Sequence, residues 1–277
     1  MKRRPSIPRG ERVARTLEAS TVHVWLRSTM SIGTQELNES IALLSSSESE
    51  RCSRFISDED RRDYAAGHAL LRTTLSAYGG RPPDQWSFHT NAHGKPFIEH
   101  DSDDAQPLLF NLSHTRGLVA CAVAFCRDVG VDVVSVDRRV HASLINRQLF
   151  SRSEIDHLAA CGDGERQVRF VELWALKEAF AKAIGLGVAF PWCDAAFDLT
   201  EDGAIGFIPP EHYRGRSWRC ALFNVSSKYR LAVVASGAGD RFPNISIRDP
   251  ESGPAEYAVV IRMSLRPFPG ATSDRSR

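Results

Sequence analysis

Two acids and a lysine are the residues of this sequence best placed to do chemistry. The stretch FVELWALKEAFAKAIGLGV, from Phe170 to Val188, has the apolar spacing of a helix. Within it Trp174, Glu178 and Lys182 fall at successive i, i+4 steps and share one stripe. Taken alone, Glu178 and Lys182 make a surface ion pair worth about 0.3–0.5 kcal/mol. The second acid, Asp132, lies in GVDVVSVD, Gly130 to Asp137, a strand whose side chains alternate between faces. Val131 and Val133 point one way, and Asp132, Val134 and Val136 the other. An acid in so apolar a strand faces water at an edge, or it needs a proton, a cation or a strong donor. A Mg²⁺ ion takes hard oxygen ligands, usually one or two carboxylates with phosphate and water. Asp132 and Glu178 could supply that pair, and Lys182, one turn further on, could meet a phosphate beside the metal. Two weaker signals stand upstream. In HGKP, Gly94 allows a tight turn, Lys95 offers a charged donor and Pro96 stiffens the exit. In FNLSH, Ser113 and His114 sit at a strand end within reach of phosphate or sugar oxygens.

The elements that must position these residues follow from periodicity and caps. Thr21–Thr29 alternates Val22, Val24 and Leu26 as a strand does. From Asp58 a helix begins with acids in its first turn and stops at Gly79-Gly80. NAHGKPFIEH is a turn followed by a short strand, and PLLFNLSHTRGLVACAVAF is two apolar runs around a polar bend. Ser151 with Glu154 three residues on is a capping-box pattern. The long helix then covers about 165–184 and ends at Gly185. Trp218–Ser236 gives two strands around a polar turn. The segment LFNLSHTRGLVACAVA is echoed by LFNVSSKYRLAVVAS. That echo predicts an α+β fold of two similar lobes related by pseudo-twofold symmetry, each with a long helix packed on an antiparallel sheet. A cleft between such halves is a common place for a ligand. The expected division is a basic disordered arm over 1–19, lobes over 20–129 and 130–237, and a partly disordered tail over 238–277 with one strand within AEYAVVIRMSL.

Composition narrows the function classes. The chain has 277 residues, 42% hydrophobic and 25% charged, with net charge +1. That balance suits a soluble globular protein and gives no global electrostatic case for nucleic acid. The basic start runs into Pro5, Ser6 and Pro8 instead of an apolar core, so no secretory signal is expected, and no apolar run is long enough to span a bilayer. The six cysteines include no C-x-x-C and fit free thiols in a reducing cytoplasm.

The order GKP, NLSH, GVDV and WALKEAFAKAIGLGV resembles the two-lobed, Sfp-like 4′-phosphopantetheinyl transferases, whose signature is approximately G-[IV]-D followed by W-x-x-K-E-[AS]-x-x-K. Here those are Gly130-Val131-Asp132 and Trp174-x-x-Lys177-Glu178-Ala179-x-x-Lys182. The resemblance implies transfer of phosphopantetheine from coenzyme A to a serine of an acyl, peptidyl or aryl carrier protein, with release of 3′,5′-ADP. It implies coenzyme A lying between the lobes and Mg²⁺ on Asp132 and Glu178. Glu178 would help deprotonate the carrier serine, and Lys182 would contact the pyrophosphate. It places Arg51 at the nucleotide's phosphates, Gly94, Lys95 and Pro96 at the adenine and ribose-phosphate end, and Asn111, Ser113 and His114 at the 3′-phosphate and neighbouring groups. It also implies a monomer. Many family members carry a further acid two residues after the Asp; here that position is Val134. A metal held by fewer carboxylates is therefore expected. The competing reading is a relative that binds coenzyme A or a carrier protein without chemistry.

Overall fold

The computed structural model describes residues 21–98, 107–125, 127–137, 142–237, 243–249, 253–254 and 258–263. The expected basic arm lies outside them, as does much of the expected tail. The chain begins with β1 (Thr21–Ser28), followed by α1 (Thr34–Ala42), α2 (Ser46–Ser53) and the long α3 (Asp58–Gly79). A small ribbon, β2 (Phe88–Thr90) and β3 (Pro96–Ile98), leads to the hairpin β4 (Leu108–Thr115) and β5 (Leu118–Phe125). The same order then recurs: β6 (Val129–Ser135), α4 (Arg152–Ala160), the long α5 (Asp163–Ile184), a ribbon of β7 (Ala196–Leu199) and β8 (Ile205–Ile208), and a hairpin of β9 (Trp218–Val225) and β10 (Tyr229–Ser236). The sequence echo is thus two equivalent hairpins. In each half the first strand pairs antiparallel with the second strand of its hairpin, giving β1-β5-β4 and β6-β10-β9. The fold is α+β.

Both long helices have 22 residues and end at a glycine in the left-handed region, Gly80 (φ 70°) and Gly185 (φ 74°). Each half repeats even its buried charge. Ser45 with Glu48, and Ser151 with Glu154, form capping boxes at the starts of α2 and α4. Glu48 then pairs with Arg72 of α3 at 2.8 Å, and Glu154 pairs with Lys177 of α5 at 2.9 Å. Arg72 and Lys177 occupy the same position in their helices. Both also donate to backbone carbonyls ahead of the following ribbon: Pro83 and Trp86 for Arg72, Trp192 and Ala195 for Lys177.

The chain packs in three apolar layers, one of which lies between the halves. Trp25, Leu70, Leu71, Leu75, Phe110 and Cys121 join α3 to the first sheet. Val134, Leu173, Leu176, Phe180, Leu222 and Val234 join α5 to the second. Between the sheets lies a shared core that includes Val22, Val24 and Leu26 of β1, Val131 and Val133 of β6, and Phe223 and Val233. The alternation expected along β6 is therefore present, with Val131 and Val133 in the inter-sheet core and Val134 toward α5.

Several elements go beyond the sequence expectations: α1, α2, β2, β7 and β8, and two strands in the tail. β11 (Asn244–Asp249) pairs parallel with β1 and antiparallel with the short β12 (Gly253–Pro254). β13 (Ala258–Met263), within the expected tail strand, pairs antiparallel with β9.

Candidate functional site

β6 is an edge strand of its sheet, and the edge of β4 lies beside it with side chains instead of a backbone ladder between them. Asn111 Oδ1 accepts from the Val131 N–H at 2.9 Å, and Ser113 Oγ accepts from the Val133 N–H at 3.2 Å. Asp132, between those two amides, is 7% exposed and turns toward α5. Its Oδ1 accepts from Lys182 Nζ at 2.6 Å and from Ser113 Oγ at 2.8 Å. Lys182 Nζ also donates to Ser113 Oγ at 2.9 Å and to the Val131 carbonyl at 3.3 Å. The strand acid is therefore buried beside a cation and a hydroxyl donor, the condition under which its charge is tolerated away from water.

The helix can lie this close because residue 130 is glycine. A Cβ at Gly130 would stand 1.9 Å from the Ala179 carbonyl oxygen and 2.5 Å from the Ala183 nitrogen. β6 and α5 thus meet backbone to backbone, and Lys182 reaches across to Asp132. Glu178 sits one turn earlier on the same helix and is half-buried. Trp174, one turn before that, is also half-buried and stacks on Phe170 and Trp192, with ring centroids 6.2 and 5.3 Å apart. Phe180 is fully buried in the core.

The turn before β3 closes on the end of α5. Asn91 Oδ1 accepts from the His93 and Lys95 N–H groups, shaping the turn around Gly94 (φ 85°). Asn91 Nδ2 donates to the Gly185 carbonyl at 2.9 Å, and Lys95 Nζ donates to the Ala183 carbonyl at 2.7 Å. Carbonyls that a helix C-terminus leaves unpaired thereby gain partners from the other half. Burial lowers the Lys95 pKa below that of an ordinary lysine, with Asp128 opposing the shift. Pro96 opens β3.

His114 is exposed at the rim. Crowding by protein lowers its pKa and Lys182 adds to the effect, while Asp63, Asp60 and Asp132 pull the other way. Arg51 is exposed on α2, with its guanidinium 5.7 Å from the centre of the Tyr64 ring. The structure thus joins Asp132, Ser113 and Lys182 by direct bonds, sets Asn111 on the neighbouring amide, and places Lys95 on the carbonyl next to Lys182. Arg51 stands against Tyr64 in the first half.

Two contributors were missed at the sequence level. Gly130 belongs to the motif, but its reason is the helix backbone above it. Lys177, beside Glu178, is fully buried and holds Glu154. Burial lowers its pKa, against the pull of Glu154. Its position among Leu173, Leu176 and Phe180 was the available signal, since that is the apolar face of the helix.

For a divalent metal, the donor set is of the right kind. Asp132 and Glu178 are hard oxygen donors on two elements in backbone contact, and two carboxylates suit Mg²⁺. Among the described residues no group of three or more His, Cys, Asp or Glu side chains is gathered to hold a metal. Val134, two residues on from Asp132, is 6% exposed in the apolar layer under α5.

Residues 128–234 match the family model described as the 4′-phosphopantetheinyl transferase superfamily, and residues 31–126 match that of 4′-phosphopantetheinyl transferase, N-terminal. The chain is 35% identical over 174 residues to 4′-phosphopantetheinyl transferase HetI of Nostoc sp. (strain PCC 7120 / SAG 25.82 / UTEX 2576), covering 63% of this chain and 73% of that protein. It is 30% identical over 206 residues to 4′-phosphopantetheinyl transferase Sfp of Bacillus subtilis (strain 168), covering 73% of this chain and 87% of that protein. Among solved structures, a holo-(acyl-carrier-protein) synthase from Bacillus anthracis str. Ames overlaps 39% of this chain and 94% of its own at a TM-score of 0.35 and 17% identity. By its two matching family models and these two relatives, the chain belongs to the 4′-phosphopantetheinyl transferase superfamily.

Proposed function

We propose that the protein transfers 4′-phosphopantetheine from coenzyme A to a serine of an apo acyl or peptidyl carrier protein and releases 3′,5′-ADP. The observation that carries this reading is the Asp132–Lys182–Ser113 cluster at the join of the two halves, with Glu178 one helical turn away. In the reaction the carrier serine oxygen bonds to the phosphorus that bears pantetheine, and the bond from that phosphorus to the 3′,5′-ADP oxygen breaks. The serine proton passes to Glu178. Lys182 offers its charge to the pyrophosphate, where negative charge accumulates as the bond breaks.

Asp132 and Glu178 are the residues that would hold Mg²⁺. Bound there, the ion would neutralise charge on the leaving 3′,5′-ADP. Lys95, Gly94 and Pro96 are assigned to the adenine and ribose-phosphate end of coenzyme A, His114 to its phosphates, and Arg51 to the outer phosphate charge. Coenzyme A carries several negative charges, and this spread of cations suits them. Because both halves contribute residues within one chain, the working unit is taken to be a monomer, and the free thiols among the described residues suit a reducing cytoplasm. No helix among the described residues is long and apolar enough to cross a membrane.

The test is to incubate the protein with an apo carrier protein, coenzyme A and Mg²⁺ and to weigh the intact carrier. One added phosphopantetheine, lost when metal is omitted and lost in Glu178→Ala, is the expected result. Absence of any addition across fatty-acid, polyketide and peptide carriers would overturn the reading.

A further inference from the structure

A hydroxyl has one hydrogen to donate and two lone pairs to accept with. Ser113 has used all three. It donates to Asp132 Oδ1 and accepts from Lys182 Nζ and from the Val133 N–H. The residue is 4% exposed. Asn111, two residues earlier on the same face of β4, is equally buried at 4% and accepts from the Val131 N–H. The two side chains therefore satisfy successive amides along the β6 edge, on either side of Asp132, where no backbone ladder joins β4 to β6. A buried amide left without an acceptor would cost about 1–3 kcal/mol, so these bonds fix where the edge lies.

Ser113 also sets the geometry of the charged pair. Lys182 and Ser113 bond to each other, and both bond to the same carboxylate oxygen of Asp132. The three groups close a small ring in which the hydroxyl limits how Asp132 can turn about its last torsion and where Lys182 can rest. A lysine on a flexible stem and a carboxylate with a broad terminal torsion have little preference of their own. The order comes from the half of the chain that carries neither charge.

We propose that Ser113, supported by Asn111, is a positioning residue that holds Asp132 and Lys182 in register across the join of the two halves, and that it is not a ligand of coenzyme A's phosphates. The inference rests on the transferase reading and refines the site assigned there. Phosphate contact on β4 then falls to His114, the exposed neighbour. Residues that orient a metal ligand from behind commonly carry about 10–100-fold in activity or metal affinity.

The experiment compares wild type with Ser113→Ala by calorimetric binding of coenzyme A and of dephospho-coenzyme A, which lacks the 3′-phosphate, and by steady-state transfer to an apo carrier. Manganese binding to the protein without coenzyme A is followed in parallel. The expected result for Ser113→Ala is a coenzyme A Kd within about twofold of wild type and an unchanged ratio between the two nucleotides. The kcat should fall about 10–100-fold and manganese affinity should weaken. Ser113→Thr, which keeps the hydroxyl, should recover most of the kcat. The melting temperature of each variant is recorded, and should Ser113→Ala not fold, Ser113→Cys, similar in size and weaker in hydrogen bonding, takes its place. A coenzyme A Kd raised tenfold with dephospho-coenzyme A unaffected would make Ser113 a phosphate ligand and overturn the inference. So would an unchanged kcat. Those outcomes leave the transferase reading standing, whereas a wild-type protein that neither binds coenzyme A nor modifies a carrier would remove both.

Discussion

Asp132 is held by Lys182 and Ser113, and each of its neighbours makes a different experimental signature. Glu178→Ala is expected to abolish transfer with the melting temperature kept within a few degrees, because the half-buried side chain lies outside the apolar layer under α5. Intact mass of the carrier together with a thermal melt checks both halves of that statement. Val134→Glu has two opposing effects. It supplies a further carboxylate on the face of Asp132 and should lower the Mg²⁺ concentration needed for half-maximal rate. It also puts a charge into a layer where Val134 is 6% exposed, so the melting temperature should fall. A metal titration that is identical in the two proteins would remove Val134 from any account of metal use. At this scale the candidate residues were legible because each is a chemically marked type in an apolar setting. Their partners were not: nothing in a linear pattern says that the Ser113 hydroxyl points at a carboxylate on a different strand, or that the inward lysine, Lys177, pairs with Glu154 and the outward one, Lys182, with Asp132.

Among the elements, α5 does most of the positioning, and two features of its packing can be tested. Gly130→Ala would drive a methyl group against the Ala179 carbonyl, which belongs to helix backbone and cannot rotate away. Overpacking of this kind costs about 1–3 kcal/mol, and any outward shift of α5 carries Glu178 and Lys182 away from Asp132. The expected outcome is a loss of activity larger than the loss of stability accounts for, read from kcat and chemical denaturation of the same sample. Lys177→Met leaves Glu154 buried without its cation and should cost about 3–5 kcal/mol. The double variant with Glu154→Gln should regain most of that, since the glutamine can still accept from the Phe197 N–H as Glu154 does. Equal destabilisation by the single and double variants would show that the cost does not come from the unpaired Glu154 charge. The long helices and main strands were legible from stripes, alternation and end glycines. Of the ribbons only β3 was legible, from the turn before it; β2, β7 and β8 have three or four residues each and show too few periods to count. α2 was hidden by its polar composition, although Ser45 and Glu48 mark its start with the same box that marks α4 at Ser151 and Glu154.

The whole molecule has two seams where the sheets could meet, and they are closed differently. At one, β4 lies beside β6 through Asn111 and Ser113. Toward the other, the tail adds β11 to β1 and β13 to β9 by backbone pairing. Asn224 of β9 lies on that second edge, opposite Val259 of β13, and its Oδ1 is buried without a hydrogen-bond partner among the described residues. Removing residues 238–277 would bare the edges of β1 and β9 and uncover Ile247's place in the inter-sheet core. A fall of about 10 °C in melting temperature is expected, with carrier modification retained at low temperature because no assigned site residue lies there. The repeated halves were legible in the sixteen-residue echo; the tail's part was not, because strands that complete someone else's sheet edge carry no repeat of their own. The repetition has a further consequence for counting. Aligning the hairpins and the long helices puts Arg27 where Asp132 stands, Thr73 where Glu178 stands and Ala77 where Lys182 stands. The first half therefore repeats the frame of the site without its two acids or its lysine, and contributes through Ser113, Lys95 and their neighbours instead. Titration with coenzyme A and Mg²⁺ should saturate at one equivalent per polypeptide, so two copies of one architecture yield a single turnover centre.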